Sequence, residues 1–141
     1  MNWIIAVTFM LLLTIFDIRK KEIPALWLLL FGAVSFIYVG LKGEKEWIFV
    51  VYSLIPGAFF LALSLCTKES VGYGDGWTVL ALGVLIGLRQ CFAVVFTGLV
   101  FSAVFSLIML VLRKVNGKSR LPFLPFITMG LGVTMIVQGV F

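Results

Sequence analysis

The sequence predicts an all-α membrane protein of six transmembrane helices with both termini on the extracytoplasmic side, and three observations predict it. Of 141 residues, 62% are hydrophobic and only 12% charged, with a mean hydropathy of +1.21. Soluble domains run nearer ~45–50% apolar and ~25% charged. The apolar residues also fall in runs longer than a core helix requires, separated by short polar connections. Lysine and arginine, finally, are shared unevenly among those connections, as membrane orientation demands.

Charges, glycines and prolines mark off six apolar segments: Trp3–Phe16, Pro24–Leu41, Trp47–Cys66, Trp77–Leu88, Cys91–Leu112 and Pro122–Phe141. The first has no basic stretch before it and no small-residue cleavage site after it, so it reads as a retained span. In the third, Pro56 should kink the helix or free a carbonyl. In the fourth, Gly83 and Gly87 have the GxxxG spacing that lets helices approach closely. Ser102 and Ser106 offer a second small-residue face on the fifth. Trp3, Trp27, Trp47 and Trp77 fall near span ends, where interfacial tryptophan is common. With no inserted soluble stretch and no internal repeat, residues 1–141 read as a single polytopic membrane domain.

Orientation follows from the basic residues. Connections one, three and five carry Arg19, Lys20, Lys21, Lys68, Arg113, Lys114, Lys118 and Arg120, whereas two and four carry only Lys42, Lys45 and Arg89. Eight against three places the odd connections in the cytoplasm. The net charge of +5 is thereby explained by orientation, without nucleic acid as a partner. The run Arg113–Arg120 can also meet anionic lipid. The chain has no histidine and two cysteines, Cys66 and Cys91, so no His/Cys metal cluster can be built. The cysteines sit at opposite ends of their spans, which disfavours a disulfide and leaves both as small packing residues.

Two aspartates stand out in so apolar a chain: Asp17, and Asp75 within Gly72-Tyr73-Gly74-Asp75-Gly76. A charged carboxylate is costly in hydrocarbon, so an acid at membrane depth calls for a function. Asp17 closes the first span and Asp75 opens the fourth, which puts both on the cytoplasmic side. About 20 residues cross a ~30 Å core, so Asp17 lies about one turn inside the boundary. From Asp75 to Arg89 a helix covers only about 21 Å, which draws Asp75 inward as well. Two carboxyls on one side at similar depth can share one proton and supply a base and an acid together. Glycines 72, 74 and 76 would let an extended backbone approach them. The plainer alternative makes Asp75 the N-cap of the fourth helix and pairs Asp17 with Arg19, Lys20 or Lys21.

At this point the sequence resembles a known family. Phe16-Asp17-Ile-Arg-Lys-Lys-Glu-Ile23-Pro24 is similar to the D-x-R-x-x-x-I-P segment of the type IV prepilin peptidases. Gly72-Tyr-Gly-Asp75 matches the Gly-x-Gly-Asp motif of the GxGD-type intramembrane aspartyl proteases, and Leu121-Pro-Phe-Leu-Pro-Phe126 resembles the Pro-Phe-x-Pro-Phe segment opening the family's last helix. The three occur in the family's order across residues 16–126. The resemblance implies an endopeptidase that removes short basic leaders from prepilin or pseudopilin substrates at the cytoplasmic face of the bacterial inner membrane. It implies Asp17 and Asp75 as catalytic residues, and neither metal nor cofactor. The match is to a short form, because the cysteine-rich region associated with N-methylation is absent. Trp77 stands where many members have lysine, which removes a cation from beside Asp75.

Two other classes fit parts of the pattern. A small proton-coupled transporter could use intramembrane acids as a relay, although no acid or histidine continues the chain toward the other face. A non-catalytic pilus or secretion assembly factor could keep both acids as helix caps. Oligomeric state is open, since GxxxG acts within a chain as well as between chains.

Overall fold

The computed structural model describes residues 2–20, 23–43, 46–66, 72–114 and 121–139, and every element among them is helical. In chain order these are α1 (Asn2–Lys20), α2 (Ala25–Lys42), α3 (Trp47–Ser53), α4 (Ile55–Cys66), α5 (Tyr73–Ile86), α6 (Leu88–Val111) and α7 (Leu124–Val137). Six apolar runs become seven helices because the third is broken, as Pro56 foretells. Pro56 has no N–H for the Tyr52 carbonyl, and its ring would collide with that group in a continuous helix. The chain steps out at Leu54 and resumes with Pro56 at the second position of α4.

Other boundaries depart from the apolar runs for local reasons. Helix α1 continues past Phe16 to Lys20, so Asp17 lies within the helix and not at its end. Pro24, with φ −60° and ψ 125°, keeps the chain extended before α2. Gly43 ends α2 in the left-handed conformation at φ 58°, a common glycine stop. Gly87 does more: at φ 89° it closes α5 and opens α6, turning the chain in one residue. The close approach expected of the GxxxG spacing is made at Gly83. Gly83 is a packing glycine and Gly87 is a turn.

Helix α5 occupies the centre, against α1, α2, α3, α4 and α6. Nine of its residues are buried, among them Gly76, Thr78, Val79 and the run from Ala81 to Ile86. One stripe of α1, Ala6, Met10 and Leu13, meets it at helical spacing. Phe31, Phe60, Val94, Leu124, Ile127 and Leu131 bring α2, α4, α6 and α7 into the same core. Lipid is as apolar as leucine, so close backbone approach and dispersion must hold such helices together. A Cβ on Gly57 would run into the backbone of Leu80, and one on Gly83 into the carbonyl of Ser53. The Gly98–Gly130 pair does the same between α6 and α7. Ser102 and Ser106 are only half-buried, so the small-residue face of α6 lies one turn earlier than expected.

Among the described residues four stretches are long and apolar enough to cross a membrane: α1, α2, the α3–α4 pair and α6. Helices α5 and α7 are apolar but shorter, 14 residues each. Asn2 of α1 donates to the Leu85 carbonyl near the end of α5 at 3.1 Å, so the two helices run antiparallel. That pairing sets Asp17 and Asp75 at the same end of the bundle.

Candidate active site

Asp75 is held by backbone economy. Gly72 is the N-cap of α5, and Asp75 is the third helical residue, its N–H donating to the Gly72 carbonyl at 3.1 Å. The plain N-cap reading of Asp75 is thus displaced by one turn; no side chain caps this helix. The carboxyl instead sits in the first turn, where the helix dipole favours its charged form. Each neighbouring glycine has its own reason. A Cβ on Gly76 would sit 2.8 Å from Cδ2 of Leu61, so this glycine seats α5 on α4. One on Gly74 would lie 2.7 Å from Cδ1 of Ile23. Gly72, with φ −64°, is unstrained; among the described residues a Cβ there would meet the Asp75 carboxyl, at 3.4 Å from Oδ2. Thr78 and Gly76 are buried beneath the acid, while Trp77 is exposed.

Asp17 is only 7% exposed, and its partner comes from another helix: the backbone N–H of Leu124 donates to its Oδ2 at 3.3 Å. This bond follows from the start of α7. Phe126 and Ile127 turn their N–H groups back to the Phe123 carbonyl, and Pro125 has none to give. The Leu124 N–H is buried with no acceptor of its own helix, and Asp17 supplies one. Among the described residues Asp17 forms no ion pair with Arg19 or Lys20, both of which are exposed. Lys21, the third cation considered, lies outside the described residues, as do Lys45, Lys68, Lys118, Arg120 and most of the basic run from residue 113.

The three motifs therefore interlock. The Asp17 segment sends Ile23 into the notch left by Gly74, and the Leu121–Phe126 segment caps itself on Asp17. Asp75 lies close enough to Asp17 to feel its charge. Sequence reasoning brought the two acids and the glycines together but missed the Leu124 donor, the Leu61 and Ile23 contacts, and the Thr14–Thr128 hydroxyl pair at 2.7 Å. Pro125 was the available signal, since a helix opening on proline keeps one donor fewer to satisfy. Neither cysteine belongs to this site. Cys91 is buried against the Val79 carbonyl, whereas Cys66 is exposed at the end of α4, so the packing account holds for Cys91 alone. Among the described residues no three His, Cys, Asp or Glu side chains gather as metal ligands would.

Comparison with known proteins supplies the frame for this geometry. The model of the type IV leader peptidase family matches residues 4–107, which include both aspartates but not the Leu121–Phe126 segment. A prepilin leader peptidase/N-methyltransferase of Pectobacterium carotovorum is 28% identical over 96% of this chain and 51% of its own length. One from Xanthomonas campestris is 26% identical over 79% of this chain and 41% of its own. The chain thus spans about half the length of the curated relatives it matches. No solved structure matches it. With its family model covering nearly three quarters of the residues, the chain belongs to the type IV leader peptidase family.

Proposed function

We propose that this chain is a membrane-embedded aspartyl endopeptidase that removes the short basic leader from type IV prepilin-like proteins, with Asp17 and Asp75 as its catalytic pair. The observation that carries this reading is the placement of the two acids at one end of antiparallel α1 and α5, within electrostatic reach. The uneven distribution of lysine and arginine supports a cytoplasmic location for that end, in the bacterial inner membrane. On the same ground the chain crosses six times as a single domain, α5 and α7 making the shorter crossings and both termini lying outside the cytoplasm. The name shared by the relatives supports the substrate class. Methyl transfer, the second activity in the relatives' name, has no part in the proposal.

The chemistry needs only water and the pair. One carboxylate accepts a proton as the water oxygen attacks the scissile carbonyl, and its protonated neighbour gives one to the carbonyl oxygen. Collapse of the tetrahedral adduct breaks the C–N bond: the proton held by the first carboxyl passes to the leaving amine, and a hydroxyl of the adduct returns its proton to the second carboxylate as the carbonyl re-forms. Gly72, with no side chain of its own beside the Asp75 carboxyl, would let an extended substrate backbone come close to it.

Cleavage of a co-expressed prepilin tests this directly, with accumulation of the peptidase in the membrane checked in parallel. Asp17→Asn and Asp75→Asn should each lower cleavage by about a thousandfold or more, since neither acid can do the other's share. Wild-type cleavage by either variant would refute the two-aspartate mechanism.

A further inference from the structure

Leu124 is bracketed by hydrogen bonds that begin and end on α1. Its N–H donates to Oδ2 of Asp17 at 3.3 Å. Its carbonyl accepts from the Thr128 hydroxyl at 2.9 Å. Thr128 in turn lies 2.7 Å from the Thr14 hydroxyl. A hydroxyl has one proton to give. Thr128 gives its proton to Leu124, so Thr14 must be the donor of the bond between the two threonines. The sequence of contacts is Thr14 to Thr128, Thr128 to Leu124, and Leu124 back to Asp17.

The spacing makes this loop rigid. Thr14 and Asp17 are three residues apart on α1, and Leu124 and Thr128 four apart on α7, so each pair shares a helix face. Two bonds one turn apart fix both the register and the rotation of α1 against α7, where one bond would leave a pivot. The start of α7 is itself braced. Phe123 stacks on Phe60 of α4 with centroids 5.7 Å apart, and Phe126 leans on Phe105 of α6 at 5.3 Å. An aspartate carboxyl rotates broadly about its last torsion; tying Oδ2 to a fixed donor narrows that rotation and leaves Oδ1 for chemistry.

We propose that the first turn of α7 is the positioning element of the site, with Thr14 and Thr128 as positioning residues that hold the Asp17 carboxyl in register with Asp75. This rests on the aspartyl reading given above. Neither threonine touches the reacting atoms. Their effect should appear as lost alignment of a catalytic group, which lowers the rate of the bound complex more than its formation.

The test is steady-state cleavage of a prepilin by the full chain in bilayers. Thr128→Val and Thr14→Val should each lower kcat by about tenfold with KM held within about twofold. Thr128→Ser keeps the hydroxyl and should recover kcat to within about twofold of the parent. The double Val variant should be little worse than either single one, because one loop is broken in each case. If the Val variants fail to fold, replacing the Leu124 amide by an ester, which deletes its N–H and keeps the side chain, decides: a fall of about tenfold or more in kcat is expected. An unchanged kcat in the Val variants or the ester, equal losses for Ser and Val at position 128, or a loss confined to KM would each overturn the positioning role. Asp17→Asn and Asp75→Asn measured alongside separate the two ideas. If both are inactive while Thr128→Val is fully active, only the positioning role falls; if either Asn variant cleaves, the aspartyl reading itself falls.

Discussion

Helices α5 and α6 are consecutive, joined by one residue, and both strongly apolar, yet they live in different surroundings. Helix α5 has 14 residues, nine of them buried; α6 has 24, with only Cys91, Val94, Val95 and Gly98 buried, all in its first half. Length and hydropathy would nominate α6 as the centre of the bundle, for it is the longest and most apolar of the four candidate spans and α5 is not among them. The composition of the two says the opposite. Helix α5 carries Gly74, Asp75, Gly76, Thr78 and Gly83, small or polar residues that only protein neighbours can use. The second half of α6 carries Phe105, Leu107, Ile108, Leu110 and Val111, all exposed and suited to acyl chains. In a membrane chain the apolar run marks a span, and its small residues mark which span is interior.

The largest effect that separates the two helices should come from Gly83→Ala. The added methyl would overlap the Ser53 carbonyl at the break between α3 and α4. Backbone on one side and the α5 helix on the other leave nothing flexible to move. We expect a loss of about 3 kcal/mol or more, at the upper end for overpacking, read by denaturant unfolding in mixed micelles. Unaltered unfolding would show that α5 is less tightly enclosed than its burial indicates.

How much of this was legible beforehand divides along the same line. The helices, the broken third span and the shared side of Asp17 and Asp75 follow from apolar runs, Pro56 and charge parity, all of which are local or additive. The functions of individual glycines do not. Gly72, Gly74 and Gly76 look alike in the sequence, but one borders the Asp75 carboxyl, one receives Ile23 and one seats on Leu61. Gly87 looks like half of a packing pair and is a turn with φ 89°. Which neighbour fills a notch is set by the crossing of two helices, and no single helix encodes that. The Asp17 cap on Leu124 joins residues 107 apart in sequence, and nothing near Asp17 announces it.

A smaller effect is expected where the neighbour can yield. Gly74→Ala would bring a methyl to 2.7 Å from Cδ1 of Ile23, the far end of a flexible side chain, though Cβ and Cγ1 follow at 3.3 Å. About 1 kcal/mol of stability should be lost, at the lower end for overpacking. Cleavage should fall by several-fold, because Asp75 is the next residue and moves with it. Adding Ile23→Val removes the crowding methyl and should restore most of both. No rescue would mean that Gly74 serves the substrate and not Ile23.

The smallest effect belongs to α6. Phe96 is 70% exposed on the outer face, so Phe96→Leu exchanges one lipid-facing apolar side chain for another. No protein cavity opens, since the acyl chains that touch the ring close over the smaller side chain. Stability in bilayers should change by less than about 0.5 kcal/mol, and cleavage by less than about twofold. A drop beyond about 1 kcal/mol would instead place a protein surface against that ring, since only a fixed neighbour leaves a cavity when a side chain shrinks. The same substitution made at Phe31, which is fully buried and stacked on Phe9 at 4.9 Å, supplies the contrast, because there the packed neighbours cannot flow into the space.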